Sequence, residues 1–152
     1  MSARKVILPN AILLGEVCRF LDEGRSVELM TKGASMSPFI RGERDSVELV
    51  KRDKVEVGDI VLCQITPGHY VLHRIHRLNG ERVQLKGDGN LDGTEACTLA
   101  EVCGTVDFII RKGKRRINCN TRCFKSLSRM WVNSPRLVRK YCLGIYRRLK
   151  FL

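Results

Sequence analysis

Residues 70–86 read Tyr70-Val71-Leu72-His73-Arg74-Ile75-His76-Arg77-Leu78-Asn79-Gly80-Glu81-Arg82-Val83-Gln84-Leu85-Lys86, and their reading decides the fold. Two runs of alternating apolar and polar residues flank Asn79-Gly80, a dipeptide that accepts the positive φ angles of a two-residue hairpin. The pattern predicts that 70–77 and 82–86 pair antiparallel. Working outward, 27–30, 46–50 and 60–65 upstream and 103–111 downstream share the β-branched, alternating composition and are separated by Gly and Pro. Before them, Ile12, Leu13, Val17, Phe20 and Leu21 recur at helical spacing between an Asn10 cap and Gly24. After them, Ser134-Pro135 has the form of a helix start. Leu137, Val138, Tyr141, Cys142, Ile145 and Leu149 then share one face, with Arg136, Arg139, Lys140, Arg147 and Arg148 mostly elsewhere. The expected architecture is mostly β, with an N-terminal amphipathic helix (1–26), a β domain (27–117) and a basic helical tail (118–152).

A chain of 152 residues that is 43% hydrophobic can bury one core. Its net charge of +12 is uneven. Met1 to Ile110 hold 14 basic and 16 acidic residues, whereas Arg111 to Leu152 hold 14 basic and none acidic. An electrostatic partner therefore belongs with the tail. The expectation is peripheral contact with an anionic membrane through 134–152, with Trp131 and Tyr141 suited to a bilayer interface. The alternative is an apolar stripe docked on the core beneath a solvated basic face. The tail carries no base-reading motif, so nucleic acid is not expected as a partner.

No run approaches the roughly 18 to 20 apolar residues that cross a bilayer. Together with the early charges Glu16, Arg19 and Asp22, this gives the expectation of a cytoplasmic chain, peripheral at the inner membrane face. Seven scattered cysteines without a Cys-x-x-Cys pair suggest reduced thiols. Cys119 and Cys123 lack a second pair to complete tetrahedral zinc. Neither metal nor cofactor is expected.

Chemistry concentrates in Lys32-Gly33-Ala34-Ser35-Met36-Ser37-Pro38-Phe39-Ile40, where Ser35 lies between a glycine and a proline. A serine hydroxyl becomes a nucleophile only with a neighbouring base and donors for the oxyanion. Three histidines can supply the base. His69 follows Pro67-Gly68 in a turn. His73 and His76 have an odd separation in one strand and so face opposite sides, with His73 sharing its side with Val71 and Ile75. Asp88 and Asp92, in Gly87-Asp88-Gly89-Asn90-Leu91-Asp92-Gly93, can each orient an imidazole. This Asp-x-Asn-x-Asp-Gly run also matches half a calcium loop, but Leu99 occupies the position that needs a bidentate Glu. On the residues alone, Ser35 as a turn residue and His73 as a hydrogen-bonded core residue stay open.

Ser35-Met36-x-Pro38, Val57-Gly58-Asp59-Ile60-Val61, Val71-Leu72-His73-Arg74-Ile75, Lys86-Gly87-Asp88 and Val102-Cys103-Gly104-Thr105-Val106 stand in this order and spacing. The set resembles the LexA-like and signal-peptidase-like serine peptidase superfamily over residues 27–113. The resemblance implies a compact, mostly β fold and a serine endopeptidase that cleaves an extended segment of a peptide or protein. It puts Ser35 at the nucleophile and Met36 at the residue after it. His73 falls where leader peptidases and LexA-like proteins have lysine, and where endoplasmic-reticulum and sporulation-type signal peptidases have histidine. Asp88 and Asp92 fall in the region of acidic partners, with the choice between them open. Gly33 replaces the second serine of the signal peptidases, so Gly33, Ala34 and Met36 become oxyanion- and substrate-binding positions, with the Ser35 N–H as donor. Without the family's membrane anchor or a DNA-binding domain, the chain resembles soluble stand-alone bacterial peptidase domains. The alternative function is a non-catalytic module of the same fold that binds peptide by strand addition and carries a membrane- or nucleic-acid-binding tail.

Overall fold

A computed structural model describes residues 10–112 and 114–149. In chain order its elements are α1 (Asn10–Asp22), β1 (Val27–Met30), β2 (Asp45–Val50), β3 (Ile60–Thr66), β4 (His69–Asn79), β5 (Arg82–Lys86), β6 (Glu95–Thr98), β7 (Val102–Arg111), β8 (Arg115–Asn118), α2 (Arg122–Asn133) and α3 (Arg136–Leu149). The strands form one antiparallel sheet in the order β1-β2-β7-β3-β4-β5-β6, with β8 beside the last residues of β7. The fold is mostly β, as the sequence predicts.

The β4–β5 hairpin forms with Asn79 opposite Arg82, so Gly80 and Glu81 are its two loop residues. Gly80 supplies the positive φ, +61°, at the first loop position. Asn79 ends the strand instead of entering the turn. Further back, the register skips from Ile75–Leu85 to Arg77–Gln84 and leaves His76 in a bulge.

Alternation divides the apolar residues between two cores. Val17 and Leu21 of α1 pack with Leu49, Ile60, Leu62, Val106 and Ile109 on one face of the sheet. α1 presses close to β7, where a methyl group on Gly104 would stand 2.7 Å from Leu21 Cδ1. Val61, Ile75, Val83 and Leu85 build the second core with Cys63 and Cys97. The sheet curls around it far enough for β3 and β6 to meet, and Cys63 and Cys97 are disulfide-bonded there. Reduced thiols are therefore corrected at this pair; Cys18, Cys103, Cys119, Cys123 and Cys142 are free.

The tail is two helices, where the sequence predicts one from Ser134. Thr121 accepts a hydrogen bond from the Phe124 N–H (3.2 Å) and caps α2. Pro135 restricts the residue before it and ends α2 at that point. Phe124 and Trp131 stand edge-on to Phe39, with ring centroids 6.0 and 5.8 Å away. The tail is thus anchored beside the turn that follows Ser35. Among the described residues no helix is long and apolar enough to cross a membrane.

Candidate active site

Ser35 is presented by a turn whose two sides are fixed differently. Met36 is buried and joins the α1-side core, while Gly33 and Ala34 are exposed and Ser35 itself is half-buried. Gly33 takes a left-handed φ of +77°, and its carbonyl accepts the Gly42 N–H at 3.2 Å. The loop after β5 clamps the turn from the other side, with the Gly89 N–H donating to the Ser35 carbonyl at 2.8 Å. Beside the turn opens a cleft of about 550 Å³, walled by Gly33, Ala34, Ser37 and Gly42 and by the charged Arg41, Glu43, Arg44 and Lys112.

His73 reaches the same loop from the sheet. It pairs with Val61 across β3 and β4, lies on the face of the second core as alternation predicts, and is buried. Gly87 stands between it and the serine turn. A methyl group built on Gly87 would overlap the Ser35 carbonyl oxygen and lie 3.1 Å from His73 Nε2. Only glycine lets the His73 ring, by its Nε2, and the Ser35 turn approach the loop this closely. His69 is exposed at the start of β4. His76 lies apart in its bulge, where burial, Lys86 and Arg139 push its pKa down to about 4.

The carboxylate at His73 is neither Asp88 nor Asp92. Glu95 Oε1, at the start of β6, lies 2.7 Å from His73 Nδ1, although the pair falls short of linear hydrogen-bond geometry. Asp88 is fully buried and bound bidentately by Arg74, at 2.8 Å (Nε) and 2.7 Å (Nη2). The remaining Arg74 nitrogen donates to the Gly58 carbonyl at 2.8 Å, and the guanidinium stacks over Phe39. Asp92 is exposed and pairs with Arg136 of α3 at 2.8 and 2.9 Å. Both aspartates of the half calcium loop are therefore committed to arginines.

Electrostatics separate the roles further. Burial lowers the His73 pKa, and Glu95 and Asp88 oppose it without reversing it. The imidazole is thus neutral and able to accept a proton under near-neutral conditions. Burial raises the Asp88 carboxyl, against the pull of Arg74. Arg74 and Asp88 act as a strut that fixes the 87–90 loop, and Gly58 and Asp88 are where the resemblance places motif residues. Sequence reasoning missed Glu95 because Glu95-Ala96-Cys97-Thr98 is too short a run to read as a strand. Its one signal is the alternation of Glu95 with Cys97, which lies in the second core.

The chain matches no protein-family model and no curated protein. Its functional reading therefore stands on residues and geometry.

Proposed function

We propose that this chain is a serine endopeptidase of the LexA-like and signal-peptidase-like type, acting on an extended segment of a peptide or protein. The observation that carries the reading is the convergence at Gly87: a half-buried serine turn, the Nε2 of a neutral buried histidine, and a carboxylate on that histidine's other nitrogen. In this scheme His73 Nε2 takes the Ser35 Oγ proton as Oγ attacks the scissile carbonyl carbon. Glu95 steadies the imidazolium that results. Backbone N–H groups of the turn, that of Ser35 among them, bind the tetrahedral oxyanion. His73 then donates its proton to the leaving amine, and water resolves the acyl-enzyme by the same route in reverse.

The substrate side has structural support as well. β1 is the edge of the sheet and leads through Thr31 and Lys32 to the Ser35 turn, so a peptide paired to it would arrive extended at the nucleophile. The cleft with Arg41, Arg44 and Lys112 would receive a side chain beside the scissile bond. The experiment is cleavage of a peptide library by the intact chain and by Ser35→Ala and His73→Ala. Each substitution should reduce cleavage by on the order of 10⁴-fold or more. Full activity in either variant would reject the assignment.

A further inference from the structure

α3 is turned the unexpected way round. An amphipathic helix ordinarily buries its apolar stripe, yet here Arg139 and Leu143 are the buried positions. Leu137, Tyr141, Ile145 and Leu149, spaced four apart, are 62%, 70%, 59% and 58% exposed. Leu127 and Met130 of α2 are also exposed. At 100° per residue, Arg136, Lys140 and Arg147 lie together beyond the Leu137 edge of this row, and Arg148 falls on the row itself, between Leu137 and Tyr141. The two helices contain no acidic residue. The apolar row is therefore left uncovered by the fold, with Arg148 on it and three further cations beyond one edge.

We infer that this face is a peripheral docking site for an anionic lipid bilayer, independent of the peptidase reading. A bilayer interface satisfies both features at once: the apolar row enters the acyl boundary, and the flanking cations reach phosphate headgroups. A second copy would bring like charges together. Nucleic acid would use the cations and leave the apolar row in water. The site is also tied to the candidate active site, because Arg136, at the start of α3, holds Asp92 on the loop that clamps Ser35.

The test is co-sedimentation of the full chain with vesicles of phosphatidylcholine, with or without phosphatidylglycerol, at low and high salt. Binding should require the anionic lipid and weaken with salt. Both Tyr141→Ser/Ile145→Ser and Lys140→Glu/Arg147→Glu should lose affinity by on the order of tenfold or more. These side chains are exposed, so an unchanged thermal melt confirms that the variants fold; Leu137→Ser/Leu149→Ser replaces any pair that does not. Failure to sediment with anionic vesicles would overturn the inference, as would equal binding by the folded variants. Self-association in ultracentrifugation that the Tyr141→Ser/Ile145→Ser pair abolishes, without vesicle binding, would reassign the face to a second copy and also overturn it.

Discussion

At His73 burial strips water from the imidazole and lowers its pKa, while the Glu95 carboxylate at 2.7 Å pulls the other way and loses. A general base works in its neutral form, so kcat/KM should rise with pH through a value below the ordinary imidazole pKa of about 6.5. Glu95→Gln removes a charge that favours the imidazolium, so it should shift this limb to still lower pH and reduce the plateau by about 10²- to 10⁴-fold. A limb that moved upward, or an unchanged plateau, would remove Glu95 from the mechanism. Asp88 is held in a buried ion pair with Arg74. Asp88→Asn leaves Arg74 buried without its counter-ion and should destabilise the fold by about 3–5 kcal/mol in chemical denaturation; Asp92→Asn, at an exposed pair, should leave the denaturation midpoint unchanged. The turn at Ser35 and the buried side of His73 were legible because turn chemistry and strand alternation are local. The choice of carboxylate was not, because it depends on how far the sheet curls to bring β6 to β4 and on which acid Arg74 claims.

The loop between β5 and β6 holds the site through backbone more than side chains. Gly87→Ala adds a methyl group against the Ser35 carbonyl and His73 Nε2. It should push the loop away from the Ser35 turn and cut kcat/KM by on the order of 10²-fold, since displacement of catalytic groups by about 1 Å costs that much. Wild-type rates in Gly87→Ala would show that the loop does not set the distance between base and nucleophile. The β4–β5 hairpin was readable from Asn79-Gly80, although the turn itself centres on Gly80-Glu81. β6 and β8 were not, because Glu95–Thr98 and Arg115–Asn118 are four residues each and become strands only by pairing with β5 and β7. α2 had a legible signal in the Thr121 cap and the spacing of Phe124, Leu127 and Trp131. The sequence reading nonetheless starts the tail's helix only at Ser134.

Across the whole molecule, the tail is an integral layer: Phe124 and Trp131 pack on Phe39, and Arg139 is buried on the side of His76 and Lys86. Burial, helped by these cations, holds the His76 pKa at about 4 in the folded state, well below the unfolded value of about 6.5. The unfolded chain therefore binds the proton more tightly, and stability should fall as pH drops from about 6.5 toward 4. His73 adds to the same slope. Urea midpoints across this range should decline for the wild type and less steeply for His76→Gln; parallel curves would contradict the assignment. The +12 charge was readable from composition, whereas the outward turn of the α3 apolar row was not, because only the packed Arg139 and Leu143 reveal which side faces the core. The most direct test of the Ser35–His73 pair is to treat the intact chain with a serine-directed phosphonate and locate the adduct by peptide mass spectrometry. The account predicts one adduct on Ser35 that forms faster as pH rises through the depressed His73 pKa, persists in Ser37→Ala, slows sharply in His73→Ala and vanishes in Ser35→Ala. An adduct on Ser37, or none on Ser35 in the folded chain, would contradict it.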